Sequence, residues 1–128
     1  MTVKPGWEGR VFEDFQVGDV YVHPLGRTIT STDNAWFTLL TLNTNPVHFD
    51  HHYAAQTEFG RPLVNSCFTL ALVTGLSVPD LSQHAMANLG WDEVRLPAPV
   101  FEATPSTPGA RCWRHGSRSR ARTSASSV

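Results

Sequence analysis

The sequence predicts an α+β domain in which a curved antiparallel sheet wraps one long central helix. Three observations lead there. Residues 62–79, PLVNSCFTLALVTGLSVP, run for eighteen positions without a charge, and a helix that is apolar on every face has to be enclosed. The stretches available to enclose it, early in the chain and again at 85–89 and 91–101, read as extended. The apolar patterning then stops: residues 1–101 carry five basic and ten acidic side chains, whereas residues 102–128 carry five arginines and a single acid.

Taken in order, Val11 to His23 (VFEDFQVGDVYVH) reads as an extended leading segment, a Gly18-Asp19 turn and a strand, and Leu25 to Thr30 as a second short extended piece. Ser31-Thr32-Asp33 then offers a helix N-cap, followed by Ala35, Trp36, Leu39 and Leu40 at helical spacing. This helix ends near Asn43, because Asn45 precedes Pro46 and is steered away from the α conformation. A short helix covers Asp50 to Gln56 and stops before Gly60. The central helix follows, with Pro62 in its first turn, where the missing N–H is no loss. Its length touches the lower edge of a membrane span, but Asn65, Ser66, Thr69, Thr74 and Ser77 between flanking prolines favour a buried helix over a membrane-crossing one.

Domain organisation follows from the break in composition. Residues 1–101 are expected to form a single domain. Residues 102–128 are rich in Arg, Ser and Ala and lack Leu, Ile, Phe, Met and Tyr. Such a segment cannot offset its ordering entropy, and it is expected to be a disordered or frameshifted tail.

Composition also excludes function classes. A net charge of −1 argues against a whole-surface nucleic-acid binder, and the tail arginines are scattered, with Trp113 their only aromatic companion. Cys67 and Cys112 form no C-x-x-C pair, so neither a zinc site nor a disulfide framework is indicated. The leading residues MTVKPGWEGRVFEDF contain no apolar signal core. A cytoplasmic protein is expected, with no membrane partner.

The densest polar cluster is Asn43-Thr44-Asn45-Pro46-Val47-His48-Phe49-Asp50-His51-His52, which holds three of the six histidines. Three readings are open from the residues alone. His48, His51 and His52 could ligate a metal, although no H-E-x-x-H pattern is present. Asn43 and Asn45 could be turn formers and the histidines surface residues. Or a histidine in a loop between two helices could serve as a general base near neutral pH.

The run Asn43-x-Asn45-Pro46-x-His48, followed by Tyr53-Ala54, resembles the hydratase motif D-x-N-P-x-H of the MaoC-like dehydratases and (R)-specific enoyl-CoA hydratases. Gly60-Arg61-Pro62-Leu63-Val64-Asn65-Ser66, whose serine lies eighteen residues past His48, is similar to that family's G-R-P-[IL]-[VA]-H-G stretch at the mouth of the central helix. FEDFQVGD and ITSTDNAWF look like its leading strand and first helix, so the resemblance covers residues 8 to 101. It implies a hot-dog fold over residues 1–101, incomplete at its C-terminus because the family's last sheet strands have no counterpart after Phe101, and the reversible addition of water to a 2-enoyl-CoA thioester, with no cofactor and no metal. By the same resemblance His48 activates the water, the backbone N–H of Ser66 receives the thioester oxygen, Asn45 holds the loop, and Asn65 and Arg61 meet substrate. A homodimer is implied as well.

Asn43 stands where the family has a catalytic Asp, and an amide cannot take up a proton at neutral pH; Asn43 would then hold the water by a hydrogen bond. The N-T-N-P-V-H-F-D and R-P-L-V-N-S text is similar to the mesaconyl-CoA and methylmalyl-CoA hydratase branch. Asp50 is a substitute carboxylate only if the turn points it alongside His48. Phe37, Phe49, Phe68, Leu72 and Trp91 are candidates for an acyl tunnel or for ordinary core, and Arg61 and Arg95 for CoA phosphates or solvated surface. Besides a hydratase, two alternatives remain: a non-catalytic module that binds acyl-CoA or pairs with a catalytic subunit, and a thioesterase, which the N-P-x-H text disfavours.

Overall fold

The computed structural model describes residues 3, 4, 6, 9–23 and 25–102. The expectations for the tail beyond Glu102, including Cys112 and Trp113, lie outside the described residues.

The first helix, α1 (Ser31–Leu40), begins one residue earlier than the expected cap. Thr30 Oγ1 accepts the Asp33 N–H at 3.2 Å while Asp33 Oδ2 accepts the Thr30 N–H at 2.9 Å, which satisfies two helix-end donors reciprocally. Arg27 donates a further bond to the Asp33 carboxylate. The helix closes at Leu40, and Leu42 turns the chain away with φ at 59°. The apolar positions that marked this helix do not form its buried face. Trp36 is 75% and Leu40 83% exposed, whereas Asn34 and Thr38 are fully buried. Polar side chains win the interior because their hydrogen bonds are all made there: the Asn34 carboxamide joins three other segments, and Thr38 Oγ1 accepts from Asn65 Nδ2 at 3.2 Å.

A short helix, α2 (His51–Ala55), follows as expected, capped by Asp50, whose Oδ1 accepts the Tyr53 N–H at 3.0 Å. The central helix, α3 (Ser66–Ser77), has 12 residues and is about 18 Å long, shorter than the uncharged run. Pro62 does not open it. Asn65 caps it instead, accepting the Cys67 N–H on Oδ1 at 2.9 Å, and Leu63 and Val64 stay extended because their N–H groups go to Val47 O and Val100 O. At the far end Pro79 has no N–H to continue the ladder, and residues Val78–Ser82 form a π-type turn. Phe68 and Thr69 are the buried residues of α3, and Phe68 stacks on Phe37 of α1 with ring centroids 5.1 Å apart.

The curved antiparallel sheet is not found among the described residues. The sheet there consists of β1 (Val3–Lys4) and β2 (Val20–Tyr21), paired in parallel with Val3 opposite Val20. Residues 85–89 form no strand, and of the 91–101 stretch only Phe101 takes part in a bridge, antiparallel to Leu63. Extended sequence makes a strand only when a neighbour receives its backbone groups.

The leading segment is tied to the end of α3 through Asp80. His23 Nδ1 lies 2.6 Å from Asp80 Oδ2, and Arg10 Nη1 donates to the Asp80 carbonyl at 2.8 Å. Gly9, at φ +55°, lets the chain pass the His84 ring, where a Cβ would come within 2.6 Å of Nε2.

Replacing Asn34 with Leu keeps the number of side-chain heavy atoms but strands the His48 carbonyl and the Asn65 N–H. We expect a loss of about 3 kcal/mol or more of unfolding free energy in urea titration, against less than about 0.5 kcal/mol for Trp36→Ser. A pH dependence follows from Asp33. Burial raises its pKa, but the hydrogen bonds from the Thr30 N–H and hydroxyl and the Arg27 charge outweigh it, so the carboxyl sits below its ordinary value. Its stabilising contribution is therefore complete above about pH 4 and is lost as pH falls through the lowered folded value. The stability gap between wild type and Asp33→Ala, read by thermal melts, should be full at neutral pH and shrink in strong acid.

Candidate active site

The loop after α1 is built from asparagine turns. The Asn43 N–H donates to the Thr38 carbonyl at 3.0 Å, and Asn43 Oδ1 accepts the Asn45 N–H at the same distance. Asn45 takes the extended conformation that Pro46 demands (φ −70°, ψ 114°) and accepts the Val47 N–H on Oδ1 at 3.2 Å. Pro46–His48 then form one 3-10 turn. These local bonds compete well with helix continuation, which is why Asn is favoured in such places.

The turn delivers His48 inward. Its ring is buried, and Nδ1 lies 2.7 Å from the Leu63 carbonyl oxygen. A carbonyl oxygen only accepts, so Nδ1 carries the proton, and the neutral ring has its lone pair on Nε2. The backbone around it is locked from both sides. The Leu63 N–H donates to the Val47 carbonyl at 3.0 Å, and Asn34 Nδ2 donates to the His48 carbonyl at 2.7 Å.

His48 and Asn45 open onto a cleft of about 560 Å³. Val47, Phe59 and Leu63 form its apolar wall, and Tyr53, Thr57 and Glu58 add polar groups. An imidazole, a phenol and a carboxylate gathered beside an apolar wall can hold and deprotonate a water next to an uncharged acyl group.

The other residues singled out in the sequence take up different places. Asn43 is spent on its turn and does not line the cleft. Asn65 is buried, its Oδ1 capping α3 and its Nδ2 on Thr38. Ser66 is the exposed first residue of α3, and among the described residues no acceptor is assigned to its N–H. Arg61 lays its guanidinium over the Phe101 ring, 4.0 Å from the centroid.

The three histidines diverge: His51 Nε2 lies 3.9 Å from Glu102, and His52 Nε2 lies 3.0 Å from Gln56. Among the described residues no three metal-binding side chains cluster, and no helix is long and apolar enough to cross a membrane. Asp50 caps α2. None of the candidate tunnel residues lines this cleft; Phe68 is core with the half-buried Phe37 stacked on it, Phe49 borders a smaller pocket of about 240 Å³ with Trp36, and Trp91 and Arg95 are exposed.

Sequence reasoning missed Thr57, Glu58 and Phe59. The signal was the brevity of α2: a five-residue helix followed by a turn at Gly60 (φ +65°) returns the chain to His48.

The MaoC like domain family matches residues 14–128. The beta-methylmalyl-CoA dehydratase of Chloroflexus aurantiacus is 36% identical over 93 residues, 73% of this chain and 26% of that protein. The mesaconyl-CoA hydratase of Cereibacter sphaeroides is 32% identical over 93 residues, 73% of this chain and 27% of its own length. The chain thus spans about a quarter of the length of these curated relatives. The crystal structure titled monoamine oxidase regulatory protein from Archaeoglobus fulgius superposes with a TM-score of 0.61 at 31% identity, over 73% of this chain and 63% of that one. On sequence and on fold, this chain belongs to the MaoC-like domain family.

Proposed function

We propose that this chain is a hydratase or dehydratase of acyl-CoA thioesters, adding water reversibly to a 2-enoyl-CoA. The observation that supports it most is the His48 Nδ1 bond to Leu63, which leaves the Nε2 lone pair free in a ring that lines a cleft of mixed polar and apolar walls. The names of the relatives point the same way.

Addition of water needs a base for the water, a proton for the α-carbon, and donors for the negative charge that develops on the thioester oxygen. In this reading Nε2 of His48 takes one proton from water as the oxygen bonds to the β-carbon. The thioester carbonyl gains charge and accepts the Ser66 N–H, at the positive end of the α3 dipole. The imidazolium then returns its proton to the α-carbon, so that water is added and His48 is regenerated. Asn45 and Asn65 act here by holding the base loop and the helix end, and Arg61 lies outside the reacting centre. A wrapped hot-dog sheet, a homodimer and a cytoplasmic setting belong to the same reading.

Kinetics on crotonyl-CoA test it, read as loss of enoyl-thioester absorbance. His48→Ala should lower kcat on the order of 10³-fold. Ser66→Pro removes the donor N–H at a first helical position that tolerates proline, after a residue already extended at φ −58°, ψ 128°. It should cost about 10²-fold in kcat, while Ser66→Ala, which keeps the N–H, stays near wild type. Turnover that survives His48→Ala contradicts the assignment. Binding of crotonyl-CoA without any turnover would identify a non-catalytic module.

A further inference from the structure

We propose that Glu58 is a catalytic residue of this cleft, accepting a hydrogen bond from the attacking water while His48 moves its proton. The inference rests on the hydratase reading above and deepens it.

A water molecule has two hydrogens. If only one is held, by His48 Nε2, the oxygen lone pairs sweep freely and the molecule is poorly aimed. A second acceptor fixes both hydrogens and directs a lone pair at the β-carbon, the kind of positioning that accounts for large factors in rate. Asn43 cannot be that acceptor, because its Oδ1 already takes the Asn45 N–H and its side chain does not line the cleft. Asp50 is committed to capping α2, and Glu102 to Asn34. Glu58 is the one carboxylate among the residues lining the His48 cleft.

Its carboxylate is also available. Among the described residues no hydrogen bond or ion pair is assigned to it, although its backbone is well anchored. Thr57 Oγ1 donates to the Ala54 carbonyl at 2.7 Å and accepts the Phe59 N–H at 3.3 Å, and the Gly60 N–H closes the turn on the Thr57 carbonyl at 3.1 Å. On the next residue the Phe59 ring packs against Phe101, with centroids 6.2 Å apart. A side chain with fixed neighbours and no partner of its own is poised for something that enters the cleft. Proton balance is kept without an added reagent: Glu58 accepts a hydrogen bond but not the proton, which passes from water to Nε2 and on to the α-carbon.

Steady-state kinetics on crotonyl-CoA for wild type, His48→Ala, Glu58→Ala and Glu58→Gln test the proposal, with thermal melts alongside. Because Glu58 is exposed, its variants should melt with wild type. Glu58→Ala should lower kcat about 10²-fold with KM little changed, and Glu58→Gln, which keeps an acceptor oxygen, should fall between. If Glu58→Ala keeps kcat within about threefold of wild type while His48→Ala is inactive, the role of Glu58 is overturned and the hydratase reading stands. A wild-type chain that turns over no enoyl-CoA overturns both.

Discussion

The carboxamide of Asn34 is the interaction on which the rest of the described structure depends. From a fully buried position on α1, its Nδ2 reaches the carbonyls of His48 and Leu63 and the carboxylate of Glu102, at 2.7, 3.1 and 2.9 Å, and its Oδ1 accepts the Asn65 N–H at 2.9 Å. Two hydrogens serve three acceptors, so one bond is shared. In a single side chain the first helix, the histidine loop, the cap of the central helix and the last described residue are joined. Without it the His48 carbonyl and the Asn65 N–H would be unsatisfied polar groups in the interior, and such groups are expensive.

That lock has a chemical consequence. By holding the His48 and Leu63 backbones together, it brings the Leu63 carbonyl to Nδ1 and thereby chooses the tautomer. The same segment leads three residues later into the first turn of α3, where unbonded N–H groups and the helix dipole meet. One short stretch of extended chain thus sets the position of both the buried His48 ring and the first residue of α3, and Phe101, which bridges to Leu63, packs against Phe59 and beneath the Arg61 guanidinium. The Asp80 cluster does a parallel job at the other end of α3, fastening Arg10 and His23.

Local signals in the sequence were legible where the deciding interactions are local. Asn45 before Pro46 set a limit that α1 could not pass, although the helix closes earlier, at Leu40, and Asp50 and Gln56 cap the two ends of α2. Long-range effects were not. The apolar residues of α1 suggested a buried stripe, yet Asn34 and Thr38 occupy the interior, because partners thirty residues away satisfy them. Pro62 seemed a helix opener until the N–H groups of Leu63 and Val64 found carbonyls at Val47 and Val100. The extended stretches read as sheet could not declare which neighbour, if any, would pair with them. Glu58 belongs to no motif, and its one signal is indirect: the return of the chain after a five-residue helix puts it in the cleft.

The central claim is that His48 is held with its proton on Nδ1 and a free lone pair on Nε2. Long-range ¹H–¹⁵N correlation spectroscopy of the uniformly labelled protein, at a pH where the ring is neutral, measures this directly, with His48→Gln identifying the resonance. The account predicts a pyrrole-type nitrogen at Nδ1 and an imine-type nitrogen at Nε2, with the pattern averaging out in Asn34→Leu as the lock is lost. A ring protonated at Nε2 would contradict it.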